Sequence, residues 1–211
     1  MPSSITSDII KPPAPPRGGG FGGGGGPDGR GASRRASMTG LMVLLAATTM
    51  AFAAFTSAFV VRRGISNDWV ELPLPRIVWV NTAILLASSL LLELARWALR
   101  SGRRTAFNRY WTAGTVLGAL FLVGQALAWR QLNAEGIFVA TNPSSSFFYL
   151  LTATHGLHIV GGLSALAYVD VQALRLRLGP GKRTAVDVSA LFWHFVDGIW
   201  LYLMVLFLVW G

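Results

Sequence analysis

Two short stretches hold the residues best suited to chemistry. In "THGLHIVGG" (residues 154–162) His155 and His158 stand three apart, and in "FWHFVDGIW" (residues 192–200) His194 and Asp197 do the same, between Trp193 and Trp200. Three residues are close to one helical turn, so in a helix each pair shares a face. Such groups support three chemistries. Two histidines on one helix and a third on another could ligate zinc, copper or haem iron through His155, His158 and His194. Histidines and an acid within a membrane could instead line a path for protons or substrate. The third is an interhelical hydrogen-bond lock joining the fourth helix to the fifth, made of His155, His158, Trp193, His194, Asp197 and Trp200. Ligation is the weaker fit, because each ligating histidine usually has its own carboxylate or carbonyl behind it, and one aspartate would have to serve three rings. The lock is the reading adopted from the residues alone. Intramembrane hydrogen bonds average about 0.6 kcal/mol, so the lock is specific rather than strong.

The elements that carry these residues are apolar. Of 211 residues 53% are hydrophobic and 13% charged, and a soluble domain has about 25% charged. Five apolar stretches, near residues 39–61, 77–99, 110–129, 146–169 and 189–210, each approach the ~20 residues that cross a bilayer as a helix. Lipid offers the backbone no partner, and the stretches lack the alternation of barrel strands, so an all-α, five-helix membrane protein is expected. Trp79, Trp97, Trp111, Trp129, Tyr149 and Trp210 fall near the span ends, where aromatic rings favour the headgroup zone. Residues 1–38, rich in glycine and proline with little to bury, predict a disordered tail ahead of the transmembrane domain at 39–211. This stretch lacks the features of a signal peptide. Its glycine run, residues 18–26, has no Lys-Ser/Thr after it and no strand before it, which excludes a phosphate loop. There is no cysteine, so thiolate-ligated zinc, iron–sulfur and CuA-type centres are excluded.

A net charge of +9 could signal nucleic acid, but its distribution fits topology better, and no nucleic-acid partner is expected. Thirteen Lys and Arg lie in the tail and in the second and fourth connections, against four (Arg62, Arg63, Arg76 and Arg130) in the first and third. The positive-inside rule then places the N-terminus in the cytoplasm and the C-terminus outside. From the cytoplasmic end at 1.5 Å per residue, His194 lies about 8 Å deep, Glu93 about 9 Å, Asp197 about 12 Å, His158 about 16 Å and His155 about 20 Å. Asp197 could thus meet His158 or His155 if their helices are neighbours. Glu93 is expected to pair with Arg96, one turn away. Arg175, Arg177, Lys182 and Arg183 flank the last two helices and are candidate lipid headgroup contacts. Gly156, Gly161 and Gly162, with Ser164 and Ala165, form a small-residue surface suited to close packing.

These same residues carry a resemblance. "SFFYLLTATHGLHIVGGL" and "LFWHFVDGIWLYLMVLFLVWG" resemble the last two helices of the cytochrome c oxidase subunit III family, and "VNTAILLASSLLLELAR", with Asn81, Thr82 and Ser88, resembles an earlier one. The match covers about residues 40–211 and is similar to the five-helix bacterial form. The resemblance implies a non-catalytic subunit of a cytochrome c or quinol oxidase, with haem and copper in partner subunits and no cofactor of its own. It implies packing against subunit I beside subunit II, phospholipid held between helices, support of proton uptake and turnover stability during O₂ reduction, and a place in the bacterial plasma membrane. A departure occurs in the first span, where many members have a buried glutamate and this chain has Thr48 or Thr49. The alternatives are a subunit-III-like accessory protein of a nitric oxide reductase and a stand-alone haem or metal carrier using the three histidines.

Overall fold

The computed structural model describes residues 27–65, 69, 75–175 and 183–210, with residues 27–33 described by their backbone alone. Among them are five helices: α1 (Pro27–Ile65), α2 (Arg76–Arg100), α3 (Arg104–Ala134), α4 (Pro143–Leu174) and α5 (Arg183–Trp210). All five are long and apolar enough to cross a membrane. Each contains one of the spans expected from the sequence. The first starts early: α1 already runs from Pro27, so the tail predicted for residues 1–38 is helical from residue 27. The rest of that tail lies outside the described residues.

Local sequence sets the helix ends. α2 and α3 both close with a glycine at positive φ, Gly102 at 74° and Gly136 at 78°. In each case the glycine N–H bonds to a carbonyl of the last turn (Gly102 to Leu99, Gly136 to Asn133), and the next N–H reaches one residue further back (Arg103 to Ala98, Ile137 to Leu132). This double closure satisfies carbonyls that the helix end would leave orphaned, and it needs a residue without Cβ. α4 begins with Asn142, whose side chain accepts from the Ser145 N–H at 2.8 Å, while Ser145 Oγ accepts from the Asn142 N–H at 3.3 Å. Pro143 takes the first helical position, where its missing N–H is not needed.

α2, α3, α4 and α5 form a ring in which each touches the next and α5 returns to α2. α1 lies outside the ring, in contact with α5 and α4. The closest approach joins α2 to α3, across Ser88, which donates to the Gly114 carbonyl at 2.8 Å, and Asn81, which donates to the Phe121 carbonyl at 3.0 Å. Large side chains such as Trp111, Phe121, Trp193 and Trp200 fill the ring, and leucines and valines such as Leu90, Leu157 and Val205 face outward. Three of the six aromatics expected at the headgroup zone turn inward instead and bolt α3 and its following turn to α4. Trp111 Nε1 donates to the Leu166 carbonyl at 3.0 Å, Trp129 Nε1 to Thr152 Oγ1 at 3.2 Å, and the Tyr149 hydroxyl to Asn133 Oδ1 at 2.9 Å. A buried indole N–H or phenol O–H usually finds a partner, and for these three the neighbouring helix or turn supplies it. Trp79, Trp97 and Trp210 are exposed on the outer surface.

Candidate functional site

The two histidine stretches lie on adjacent helices, but they do not bond to each other. On α4, His155 is completely buried and neither ring nitrogen has a hydrogen-bond partner. Its ring stacks on Trp200 with centroids 5.0 Å apart and meets Phe121 and Phe52 edge-on. His158 binds within its own helix, its Nδ1 donating to the Thr154 carbonyl at 2.8 Å, and its ring lies against Phe52.

On α5 the polar face turns to α2. Ser89 of α2 donates to the carboxylate of Asp197, and the same Ser89 hydroxyl lies 3.0 Å from His194 Nδ1. His194 Nε2 is 3.6 Å from Glu93 Oε2, Arg96 Nη1 binds that Glu93 oxygen at 2.7 Å, and Arg96 Nη2 reaches Asp187 Oδ1 at 3.2 Å. Two turns of α2 (Ser89, Glu93, Arg96) and the first half of α5 (Asp187, His194, Asp197) thus form one ladder. Its burial is graded: Asp197 is 5% exposed, and the Glu93 side chain is 51% exposed.

The lock expected between α4 and α5 is therefore formed between α2 and α5. Asp197 pairs with Ser89, not with His158 or His155, because α5 presents Asp197 and His194 to its neighbour on the other side, and a small serine there lets the carboxylate approach. Trp200 supports the same seam, its Nε1 donating to Thr82 Oγ1 of α2 at 2.9 Å. Trp193 points into the ring instead. A Cβ on Gly118 of α3 would stand 2.5 Å from its ring, and one on Gly162 of α4 would stand 3.1 Å away, so both glycines make room for the indole. The small-residue surface expected on α4 packs closely only at Gly162, since space is open beside Gly156 and Gly161. Gly161 and Ala165, with Leu44, Leu157, His158 and Phe192, line an apolar groove between α1, α4 and α5.

The remaining site residues fall as follows. Glu93 and Arg96 form the ion pair already described. Arg175 and Arg183 are exposed at the facing ends of α4 and α5, and Arg177 and Lys182 lie outside the described residues. Among the described residues no three His, Asp or Glu are gathered to hold a metal ion. Thr48 is buried, and Thr49 donates to the Leu45 carbonyl at 2.8 Å. Ser89 and Asp187 were not singled out from the sequence. Their spacing carried a signal: 89, 93 and 96 repeat by four and three, and 187, 194 and 197 by seven and three, which places each set on one helix face.

The family model for cytochrome c oxidase subunit III matches residues 34–211, and so spans all five helices. The chain belongs to the cytochrome c oxidase subunit III family. It is 32% identical over 167 residues to "Probable cytochrome c oxidase subunit 3" of Nocardia farcinica, covering 77% of this chain and 82% of that protein. A protein of the same description from Mycobacterium bovis is 33% identical with the same coverage. "Cytochrome c oxidase subunit 3" of Thermostichus vulcanus is 31% identical over 178 residues, covering 79% and 84%. As a subunit III the chain is a multi-pass membrane protein and a non-catalytic component of a respiratory oxidase complex. Both histidine stretches lie within the matched region.

Proposed function

We propose that this chain is the non-redox subunit of a haem–copper terminal oxidase in a bacterial plasma membrane, where it packs against subunit I beside subunit II, holds phospholipid between its helices and sustains proton uptake and turnover. Haem and copper belong to the partner subunits. The observation that carries this reading is the family match over every helix, combined with histidines that are engaged in aromatic packing and in the α2/α5 ladder. In the proposed orientation the N-terminus is cytoplasmic, supported by the excess of Lys and Arg on that side.

Lipid binding has its own support. The groove between α1, α4 and α5 is apolar, and among the described residues α1 packs mainly on α5 and α4. Arg175 and Arg183 stand at the membrane surface at the same end as this groove, where each cation could add about 1 kcal/mol of attraction to anionic headgroups. The interhelical lock of His194, Asp197, Trp193 and Trp200 fixes α5 against its neighbours, and His155 and His158 fill the centre and the wall of the α1 seam.

The test is affinity purification of the tagged chain from membranes, with mass spectrometry and haem analysis of what accompanies it. Recovery of a haem-bearing subunit I, with the haem spectrum unchanged by His158→Ala, supports the proposal. A Soret band that stays with the isolated chain and disappears in His158→Ala refutes it in favour of a carrier.

A further inference from the structure

The α2/α5 ladder has the form of a proton relay. We propose that Glu93, His194 and Ser89 pass a proton from the membrane surface to Asp197, which stores it inside the bundle. This deepens the proton-uptake part of the proposed function.

One hydroxyl joins the two titratable side chains of the inner ladder. Ser89 has a single proton and touches both Asp197 and His194 Nδ1. It can donate to only one of them and must accept from the other. Two arrangements follow. In the first, His194 carries a proton on Nδ1 and donates to Ser89, and Ser89 donates to an ionised Asp197. In the second, a protonated Asp197 donates to Ser89, and Ser89 donates to a bare Nδ1. Conversion of the first into the second breaks the Nδ1–H bond and the serine O–H bond, and it forms a new serine O–H bond and an O–H bond on Asp197. The hydroxyl is regenerated and one proton has moved from imidazole to carboxyl.

The surface end supplies the proton that drives this step. Glu93 is half exposed, and its Oε2 faces His194 Nε2. A proton delivered there makes His194 an imidazolium, and loss of the Nδ1 proton inward leaves neutral His194 with its proton on Nε2. Arg96, bound to both Glu93 and Asp187, holds the glutamate in place. At the inner end Asp197 is 95% buried, and its second oxygen, Oδ1, has no partner. A buried carboxylate with a bare oxygen is unfavourable, which makes a proton welcome there.

Titratable groups on the other packed elements are engaged elsewhere or stand at helix ends. On α4, His155 and His158 lie on Phe52, and Asp170 accepts from Thr112 of α3 at 2.6 Å. Arg104 and Arg109 of α3 and Arg34 and Arg35 of α1 lie near the same end as the ladder's mouth.

The relay is tested by infrared spectroscopy on the full-length chain, purified with whatever accompanies it. The carboxylic C=O band of Asp197 is identified as the band that Asp197→Asn removes, and its hydrogen–deuterium exchange is timed after a jump into D₂O. The expected result is rapid exchange in the wild type, slowing on the order of a hundredfold in Ser89→Ala, where the relaying hydroxyl is gone, and recovery in Ser89→Thr. Exchange at the wild-type rate in Ser89→Ala overturns the relay. So does a spectrum in which Asp197→Asn removes no carboxylic band at any pH at which the protein is folded. Failure of the proposed oxidase role would appear separately, as a purified chain without haem-bearing companions.

Discussion

The two histidine stretches meet the same difficulty in opposite ways. Each carries ionisable groups into a membrane, where an isolated charge costs several kcal/mol. α4 encloses His155 in the faces and edges of Trp200, Phe121 and Phe52 and gives it no hydrogen bond. α5 gives His194 and Asp197 partners on α2 and leads them by steps to the surface. The difference teaches that a polar residue in a helical bundle can serve as neutral packing or as part of a bonded chain, and that residue type alone does not decide which. The neighbouring helix decides.

That contrast can be broken at several points. The largest effect belongs to the aromatic filling that both halves share. Trp193→Ala opens a hole between Gly118 and Gly162 and should lower stability by about 3–5 kcal/mol, read as thermal unfolding in detergent. Next comes the seam itself. In a double-mutant cycle, Ser89→Ala and Asp197→Asn should couple by about 0.5–3 kcal/mol, and His158→Ala and Asp197→Asn should add to within about 0.5 kcal/mol. The reverse pattern would restore the α4/α5 lock. His155→Phe should change stability by less than about 1.5 kcal/mol, because an aromatic ring of similar shape replaces one whose nitrogens make no bonds. A larger loss in that unfolding assay would mean that His155 has a polar partner. The smallest effect is expected from Glu93→Gln, about 0–1 kcal/mol and weaker in high salt, since that end of the ion pair is half exposed.

Much of this arrangement is legible in the sequence. The five spans follow from apolar length, and the pairing of Glu93 with Arg96 follows from a three-residue spacing. The partner of Asp197 does not. Measured on the spans expected from the sequence, Ser89 lies about 15 Å and His158 about 16 Å from the ends at residues 99 and 169, so depth cannot choose between them, and the choice depends on the rotation of α5 about its axis. The same limit explains Trp111, Trp129 and Tyr149, whose positions near span ends say how deep they lie but not which way they turn. The early start of α1 at Pro27 was hidden by glycines and a proline that suggest a tail. The stripe of Ser89, Glu93 and Arg96 on α2 was readable, and together with Asp187, His194 and Asp197 it contains the ladder.

The most direct test is an experimental density map of the assembly purified through this chain. The account predicts haem and copper confined to a large companion subunit, His155 metal-free between Trp200 and Phe52, and the Asp197 carboxyl against Ser89 of α2. A metal ion or haem iron on His155, His158 or His194, or an assembly with no haem-bearing companion, would contradict it.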